Sequence, residues 1–374
     1  MMASTVIDRS DDIITLKGVT KRYGNVTVLE PVNLGVRDGE FLTILGPSGS
    51  GKTTILRIVG GFTLPSAGSL LLDGRDIANE LPFRRPFNTV FQDYALFPHM
   101  SVEKNVAYGL AVRGQPKELI KARVDEVLDV VNLSAKRARY PSALSGGERQ
   151  RVALARAIVC QPRVILLDEP LAALDAGLRR SMQVFLKDIQ RRIATTFVFI
   201  THDQEEAMAV SDRIVVMTHG RVEQIGTPQE IYNAPKTEFV AQFFGENNVI
   251  RAAVESTSDS GVRVKSALGS WVVPNGQRLP VGDNCGVVIR PESFQMTPAS
   301  NSNGGNQRPT IAGELVKLLF AGAYWHALVQ PLNAPESLLK VRVPGSRADA
   351  GFAQGDKVVV SWSNDVAHLV AMVG

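Results

Sequence analysis

The sequence is poor in cysteine and in long apolar runs. Its 374 residues include two cysteines, Cys160 and Cys285, which lie far apart and outside any metal-ligand spacing. This usage argues against a disulfide framework and against a zinc site, and it favours the cytosol. A membrane-spanning helix needs roughly 18 to 20 apolar residues. The strongest apolar runs, Val164 to Leu167 and Thr196 to Ile200, have only strand length, so we expect a chain that does not itself cross a membrane.

Excess charge of one sign is also absent. The chain has 41 basic and 37 acidic residues, and no stretch concentrates Lys and Arg among aromatic residues. Nucleic-acid binding is therefore not predicted. Met1 to Asp12 lacks an apolar core before a small-residue cleavage site, so we expect no signal peptide. With 44% hydrophobic residues the chain can form buried cores, and its length suggests two or three domains.

The pattern of apolar runs changes near Gly245. Up to Phe244, short runs such as Phe41 to Leu45 alternate with helical patterns, which is typical of a sheet covered by helices. After Gly245, short β-type runs are separated by turn signals such as Pro274-Asn275-Gly276, which favour a small antiparallel barrel. The polar tract Asn301 to Gln307 predicts an exposed loop in this second region.

Helical spacing of apolar residues predicts several helices in the first region. Thr53 to Val59 should form a helix after the strand that ends at Leu45. Pro116 stands near the start of a helix ending about Asn132, and a further helix should run from Glu148 to Cys160. An amphipathic stretch, Leu178 to Ile193, separates two buried strands.

A glycine-rich segment between a predicted strand and a predicted helix carries the first chemical signal. It fits the phosphate-binding pattern G-x-x-x-x-G-K-[ST] and consists of Gly46, Pro47, Ser48, Gly49, Ser50, Gly51, Lys52 and Thr53. Its backbone N–H groups can converge on phosphate oxygens, and the following helix presents the positive end of its dipole. Lys52 should neutralise the β and γ phosphates, and Thr53 should place its hydroxyl on Mg²⁺. Thr54 completes the expected nucleotide-binding set, and a glycine-rich turn with an incidental lysine is the alternative.

Two adjacent carboxylates, Asp168 and Glu169, end the predicted strand Val164 to Leu167. Ligands bind at the carboxyl ends of strands in open α/β sheets. Asp168 is expected to hold the magnesium ion, directly or through water, and Glu169 to orient or deprotonate the attacking water. Alone, such a pair is more often an ordinary solvated strand end. Together with the phosphate-binding segment it predicts an ATPase.

The segment Leu144 to Gln150, with the sequence LSGGERQ, is the most discriminating feature. Ser145 and Glu148 have the spacing of a capping box at a helix start, and Gly146 and Gly147 leave the backbone N–H groups accessible. An ordinary helix cap is one interpretation. The other is a second anion-binding helix terminus, which would enclose the γ-phosphate from the side opposite the first loop. The other two motifs favour this second interpretation.

On these motifs the chain resembles, along essentially its whole length, the ATP-binding subunits of ABC transporters, particularly those of bacterial importers. Gly46 to Thr53 resembles the Walker A motif of that family, Val164 to Glu169 its Walker B motif and Leu144 to Gln150 its signature motif. The resemblance implies ATP and Mg²⁺ as cofactors. It also implies a head-to-tail dimer with ATP between the Walker motifs of one subunit and the signature of the other, where Ser145, Gly146 and Gly147 would contact the nucleotide.

The same resemblance implies the fold class and the domain limits. Residues 1–244 would form an α/β P-loop NTPase domain, with a helical subdomain at about residues 93–145. Residues 245–374 would form an all-β, OB-like barrel of the TOBE type, to which Val288 to Glu292 is similar.

Four further positions match the family one at a time. Tyr23 resembles the aromatic residue that stacks on adenine, and Gln92 resembles the glutamine that reaches the metal or water and lies at the permease contact. His202 is similar to the histidine that contacts the γ-phosphate, and Asp175 to the end of the loop between the two sites. In isolation, Tyr23, Gln92 and His202 are residues whose types more often have a structural or solvated role at such positions.

The function implied is an ATP-hydrolysing, energy-coupling subunit of an importer. It would be peripheral, on the cytoplasmic face of the inner membrane, attached to transmembrane permease subunits and linked indirectly to an extracytoplasmic solute-binding protein. Tyr94 to Val102 resembles importers of sugars, polyamines, iron and oxyanions, and Phe87 to Gln92 with Gly226 to Pro228 resembles spermidine/putrescine importers. A polyamine is therefore the expected cargo, with iron(III), 2-aminoethylphosphonate or a sugar as alternatives.

Two other functions compete with transport. A soluble ABC-type ATPase acting on ribosomes or DNA usually has two cassettes or a long coiled-coil insertion, whereas this chain has one set of motifs and no sustained heptads. A regulatory protein whose barrel senses a ligand, with a secondary ATPase, is the third hypothesis.

Overall fold

The computed structural model describes residues 12–301, 308–345 and 351–372. Residues 1–11, which make up most of the N-terminal segment without signal-peptide features, lie outside the described residues. The same holds for Ser302 to Gln307 of the predicted polar loop. The chain divides into two compact units, residues 1–228 and residues 229–374. None of the helices in the described part of the chain combines the length and the apolar character needed to span a membrane.

The first unit contains two sheets and six α-helices within its described residues. Its strands are β1 (Asp12–Tyr23), β2 (Val26–Arg37), β3 (Phe41–Leu45), β4 (Ala67–Leu72), β5 (Arg75–Asp76), β6 (Phe87–Val90), β7 (Val164–Asp168), β8 (Thr196–Thr201), β9 (Arg213–Thr218) and β10 (Arg221–Gly226). Its helices are α1 (Lys52–Gly60), α2 (Val102–Val112), α3 (Lys117–Val130), α4 (Gly146–Ile158), α5 (Ala176–Ile193) and α6 (Gln204–Val210). The predicted α/β architecture is confirmed.

The larger sheet of this unit has the strand order β10-β9-β3-β8-β7-β6. Strands β9, β3, β8, β7 and β6 run parallel, and β10 is antiparallel to β9. Every residue of β3 and of β8 is buried, as expected for strands covered on both faces. The second sheet has the order β2-β1-β4-β5 and is antiparallel.

The helices of the first unit begin and end close to their predicted limits. Strand β3 coincides with the predicted run, and α3 begins directly after Pro116, which has no N–H to lose at a helix start. Helix α4 begins at Gly146 rather than Glu148, because Ser145 caps it. Helices α2, α3 and α4 share one apolar core with β6 and β7, through residues such as Val106, Val127 and Leu154.

The second unit contains two short helices followed by strands. The helices are α7 (Pro228–Asn233, which begins at the last residue of the first unit) and α8 (Glu238–Phe243). The strands are β11 (Asn248–Ser258), β12 (Gly261–Ser266), β13 (Gly269–Val273), β14 (Asn275–Gly276), β15 (Asn284–Ile289), β16 (Gln295–Pro298), β17 (Thr310–Phe320), β18 (Tyr324–Pro331), β19 (Leu339–Pro344), β20 (Lys357–Ser361) and β21 (His368–Ala371). They form one sheet in the order β13-β12-β11-β15-β21-β14 and another in the order β16-β20-β17-β18-β19. The predicted all-β character of this region is confirmed.

The boundary between the two units comes before the predicted limit at Phe244. Helix α8 packs on the strands that follow it, because Ala241 lies in one apolar cluster with Val288 and Val370. The buried guanidinium of Arg290 also donates one hydrogen bond to the carbonyl oxygen of Phe244. Helix α8 therefore belongs to the β-rich unit by its contacts, although its sequence continues the helical pattern of the first region.

Candidate active site

Strand register brings the predicted loops to one edge of the larger sheet. Leu45 of β3 pairs with Thr201 of β8, and Asp168 of β7 pairs with Ile200 of β8. Val90 of β6 pairs with Leu167 of β7. Because these four strands are parallel and adjacent, their carboxyl ends meet, and ligands bind there in open α/β sheets. Each of these strands is followed by one predicted site residue: Lys52 follows β3, Gln92 follows β6, Glu169 follows β7 and His202 follows β8.

The glycine-rich loop after β3 has the tight geometry that its sequence predicts. A Cβ atom on Gly46 would lie 2.2 Å from the carbonyl oxygen of Met217, so only glycine fits there. Gly51 has φ of 96°, and a Cβ atom there would lie 2.5 Å from Cδ2 of Leu29. Helix α1 then begins without a side-chain cap and without an acidic residue in its first turn. Its first N–H groups are therefore free of anionic side chains and can bind phosphate oxygens.

Lys52 places a buried positive charge inside this loop. Its Nζ donates hydrogen bonds to the carbonyl oxygens of Gly46 (2.8 Å) and Pro47 (2.9 Å), and its side chain is almost fully buried. Burial lowers the pKa of the ammonium group, while the carboxylates of Glu169 and Asp168 act in the opposite direction. A bound triphosphate would add further negative charge and favour the charged form of Lys52.

The two carboxylates after β7 differ in environment. Asp168 is the last residue of the strand, and burial together with the like charge of Glu169 raises the pKa of its carboxyl group, although Arg57 and Lys52 lower it. Glu169 adopts a left-handed backbone conformation with φ of 43°, and its N–H donates to the carbonyl oxygen of Ile200 at 3.1 Å. The two neighbouring carboxylates therefore stand on different backbone conformations, one extended and one left-handed.

His202, after β8, lies beside the second carboxylate. Its Nδ1 is 3.2 Å from Oε2 of Glu169, and the ring is exposed. A small cavity of about 40 Å³ is lined by Glu169, His202 and Arg179, among others. Arg179 of α5 donates to a carboxylate oxygen of Asp203 at 3.2 Å and thereby fixes the residue next to His202. The carboxylate, the imidazole and the guanidinium therefore surround one small polar space.

Gln92 lies in the turn that follows the edge strand β6 and is exposed. The register of β6 with β7 places it beside the loop that holds Glu169. Its turn is unusual because two consecutive residues, Tyr94 and Ala95, have positive φ values of 62° and 44°. The carbonyl oxygens of both accept hydrogen bonds from the guanidinium of Arg156 on α4.

The capping box predicted at the start of α4 is confirmed. The N–H of Glu148 donates to Oγ of Ser145 at 3.3 Å, and the N–H of Ser145 donates to Oε2 of Glu148 at 3.1 Å. Lys136 forms a salt bridge with the same Glu148 side chain. The Ser145 hydroxyl accepts in this box, so its own proton remains available for an external acceptor. Gly146 and Gly147 begin the helix next to it.

Tyr23 and Asp175 occupy the ends of secondary-structure elements. Tyr23 ends β1, its ring is 51% exposed, and Nζ of Lys21 lies 4.8 Å from the ring centroid. About half of Tyr23 is accessible, and Lys21 lies over its ring. Asp175 accepts a hydrogen bond from the N–H of Leu178 at 3.0 Å and caps α5. The structure thus gives Asp175 a helix-capping contact, and nucleotide contact by Tyr23 and Asp175 stays a prediction.

Sequence reasoning gave no role to three residues that form hydrogen bonds with the turns and loops of this site, namely Arg156, Tyr94 and Arg179. The first two lie inside helix and turn patterns that explain their presence without any site. Arg179 follows Asp175 by one helical turn, and its salt bridges with Asp203 and Glu206 join elements that are distant in sequence. No local signal identifies such partners.

A magnesium ion fits the residues present. Mg²⁺ prefers oxygen ligands and is usually held by one or two protein groups together with substrate phosphates and water. Asp168 and the hydroxyl of Thr53 supply such oxygens. Burial and the nearby Glu169 raise the pKa of Asp168, and a bound cation would favour its ionised form. Within the described residues, no group of three or more His, Cys, Asp or Glu side chains could hold a metal without such help.

Comparison with known families gives two matches. Residues 29–172 match the ABC transporter family, and residues 287–370 match the TOBE domain family. The first match contains the glycine-rich loop, the capping-box segment and both carboxylates. The second lies within the β-rich unit.

The chain is also similar over nearly its full length to curated proteins. The spermidine/putrescine import ATP-binding protein PotA of Mesorhizobium japonicum is 45% identical over 370 residues, which cover 97% of this chain and 99% of that protein. The spermidine/putrescine import ATP-binding protein PotA 2 of Pseudomonas aeruginosa is 44% identical, covering 96% of this chain and 98% of that protein.

Two solved structures share the fold of the ATPase part. The structure of cbiO1 from Clostridium perfringens, part of the ABC transporter complex cbiONQ, has a TM-score of 0.56 and 31% identity, covering 59% of this chain and 90% of that chain. A dimeric ATP-binding cassette in a post-hydrolysis state, bound to ADP and Pi, has a TM-score of 0.51 and 33% identity, covering 57% and 98%.

Proposed function

The chain belongs to the family of ATP-binding subunits of ABC transporters, and from this premise we propose that it hydrolyses ATP to drive spermidine and putrescine import. One observation carries the proposal. Four adjacent parallel strands end at one edge of a sheet, and each is followed by one of the groups that ATP hydrolysis needs. The names of the relatives supply the cargo.

The residues at this edge divide the work of hydrolysis. The loop from Gly46 to Thr54 binds the phosphates through its N–H groups and through Lys52. Glu169 accepts the proton of the attacking water, and His202 holds that carboxylate and contacts the γ-phosphate. Gln92 orients the water or the metal from the neighbouring turn.

Thr53, Asp168 and Gln92 would hold the magnesium ion. When bound, it neutralises charge that develops on the transferred phosphoryl oxygens. The chain's own contribution is to present a hydroxyl and a half-buried carboxylate beside the phosphate loop.

A second copy of the chain would complete the site. Ser145, Gly146 and Gly147 are then aimed at the γ-phosphate bound by the partner copy, and Ser145 donates the proton that its capping box leaves free. The dimeric form of a related ATP-binding cassette supports this arrangement. ATP shifts the dimer towards closure, because each nucleotide gains contacts from both copies, and hydrolysis removes that gain.

Coupling to transport requires a permease in the membrane. We propose that the chain is attached to the cytoplasmic face of the inner membrane through transmembrane permease subunits, near Gln92, and that an extracytoplasmic solute-binding protein delivers the cargo. Closure of the dimer would then move the permease helices. The names of the full-length relatives, as import ATP-binding proteins, support this location.

The ATPase assignment is tested by Glu169→Gln. We expect the turnover of ATP to fall by roughly 10² to 10⁴-fold, the usual contribution of a general base, while nucleotide affinity is retained. Glu205→Gln is the matched control, because Glu205 is exposed on α6 near the same site. Wild-type turnover by the Glu169→Gln protein would show that the base is a different residue.

The cargo is tested by reconstitution with the cognate permease and solute-binding protein in vesicles. Spermidine or putrescine should stimulate ATP hydrolysis and be accumulated, whereas iron(III), 2-aminoethylphosphonate and sugars should do neither. Stimulation by one of those other solutes alone would replace the polyamine assignment and leave the ATPase assignment intact.

A further inference from the structure

The turn after Gln92 holds two strained residues in succession. Tyr94 and Ala95 have φ values of 62° and 44°, in the left-handed region that residues with a side chain rarely adopt. Such a conformation is kept only where contacts with surrounding residues offset its cost in free energy. Contacts with the surrounding residues must therefore stabilise this turn.

The guanidinium of Arg156 provides the first of these contacts. Its Nη1 donates to the carbonyl oxygen of Ala95 at 2.6 Å and its Nη2 to that of Tyr94 at 2.9 Å. The same group lies over the ring of Phe97, 5.5 Å from the centroid. A planar fork with two parallel donors matches two successive carbonyl oxygens, whereas a lysine ammonium would not. Arg156 belongs to α4, the helix that Ser145 caps.

The hydroxyl of Tyr94 provides the second contact. It donates to the carbonyl oxygen of Pro170 at 3.3 Å, and the Tyr94 side chain is 7% exposed. Pro170 directly follows Glu169, whose own backbone is left-handed. One turn thus connects helix α4, the segment that begins with Gln92 and the residue after the carboxylate.

We propose that Arg156 is a positioning residue for ATP hydrolysis, which holds the Tyr94–Ala95 turn so that Gln92 and Glu169 stand in fixed relation to each other. The inference rests on the proposed function, because it assigns a role within the same reaction. Arg156 does not touch the reacting atoms. It acts by holding the turn that places Gln92, which lies two residues before Tyr94, and the Tyr94 hydroxyl helps to hold the same turn.

A purely structural role for Arg156 predicts different kinetics from a positioning role. If Arg156 only supports folding, its replacement reduces the amount of folded protein and leaves the kcat of folded molecules unchanged. If it positions Gln92, its replacement lowers kcat, leaves KM for MgATP nearly unchanged and has no further effect once Gln92 is removed. Coupled residues are non-additive in this way, and independent ones are additive.

The test is a double-mutant cycle in the full chain with Arg156→Lys and Gln92→Ala. We expect Arg156→Lys to lower kcat by about tenfold or more, with KM changed by less than about twofold, and to have no further effect in the Gln92→Ala background. Tyr94→Phe should lower kcat by about threefold to tenfold through loss of one hydrogen bond. Arg163→Lys is the control. Arg163 directly precedes β7, at the end of the strand away from Asp168, and forms a salt bridge with Asp73. This variant should retain wild-type kcat.

Hydrogen exchange gives a second readout that does not depend on turnover. The amides of residues 92–97 should exchange faster in Arg156→Lys than in the wild type and in Arg163→Lys. Additive effects in the cycle, or unchanged exchange in this segment, would overturn the inference while the Glu169→Gln result still supports the ATPase. A wild-type chain without ATP hydrolysis would remove the proposed function and the inference together.

Discussion

His202 and Glu169 are joined across two neighbouring strands, with Nδ1 of the imidazole 3.2 Å from Oε2 of the carboxylate. The contact spans the ends of β8 and β7, whose pairing places Ile200 opposite Asp168. The exposed imidazole therefore restrains a carboxylate whose backbone is itself left-handed. This pair joins the two side chains to which we assign phosphate contact and activation of the attacking water.

Replacement of His202 by alanine should lower kcat for ATP by up to about 100-fold, because misplacement of a catalytic group by about 1 Å costs that much. Nucleotide affinity should change little. Steady-state kinetics with mant-ATP binding measure both quantities. His326→Ala is the matched control, because Nδ1 of His326 lies 3.4 Å from Oε2 of Glu246 in the other unit and should leave kcat unchanged. Equal effects of the two variants would contradict the assignment of His202.

Ser145→Ala should remove two functions at once. Loss of the cap should cost about 1 kcal/mol of unfolding free energy, and loss of the hydroxyl donor should abolish most ATP hydrolysis. Ser101→Ala separates the two effects, because Ser101 caps α2 by accepting from the N–H of Lys104 at 3.3 Å. It should lose similar stability but retain turnover. If Ser145→Ala hydrolyses ATP as fast as Ser101→Ala, the serine is only a cap.

Asp168→Asn should stabilise the chain at neutral pH in the absence of nucleotide and metal. Burial and the charge of Glu169 raise the pKa of Asp168, so ionisation is less favourable in the folded state than in the unfolded state. Below the pKa of an unfolded aspartate both states are protonated and the substitution has no effect. As pH rises through the raised folded pKa, wild-type stability falls relative to the asparagine variant.

Thermal unfolding between pH 3 and 8 measures this difference. The gain in Tm of Asp168→Asn over the wild type should appear as the pH rises and then level off. Asp188→Asn, at an exposed position of α5, should show no comparable gain. A gain of Asp168→Asn that is largest at low pH would contradict the sign of the pKa shift.

Arg85→Met should destabilise the first unit by about 3 kcal/mol or more, since each buried carbonyl oxygen left unpaired costs about 1 to 3 kcal/mol. The Arg85 side chain is buried and donates to the carbonyl oxygens of Ile58, Val59, Ala78 and Glu80, including the end of α1. Its burial lowers the pKa of the guanidinium below its usual value.

Urea unfolding followed by far-UV circular dichroism measures the loss. The neighbouring Arg84→Met is the control, because Arg84 is exposed and should change the unfolding free energy by less than about 0.5 kcal/mol. Equal stability of the two variants would show that the carbonyl oxygens find other donors.

The sequence predicts those parts of the site that are encoded locally. The segment Gly46 to Thr53 needs glycine at fixed offsets, and the Ser145–Glu148 capping box lies within one helical turn, so both can be recognised from spacing. Strand β3 was predictable because it is buried on both faces and has no polar alternation. These features do not depend on distant partners.

Other features depend on contacts between distant residues and could not be predicted. The bond from Arg156 to Ala95 joins a helix to a turn 61 residues away, and an arginine in an amphipathic helix gives no sign of it. The two compact units divide after residue 228, whereas the sequence pattern changes near Gly245, because α8 has an ordinary helical pattern. Helix α8 belongs to the second unit because Ala241 packs with Val288 and Val370, and the spacing of apolar residues along the helix does not reveal these partners.

The position of β8 between β3 and β7 has a consequence for biosynthesis. Strands β3 and β7 are both translated before β8. In the folded sheet they do not pair with each other, because each pairs with β8, which lies between them. A nascent chain that has left the ribosome only as far as Ile193 holds the Lys52 loop and Asp168 on strands that are not yet joined. Exposed strand edges invite pairing with other chains. Chaperone protection during synthesis should therefore matter most until residues 196–201 emerge.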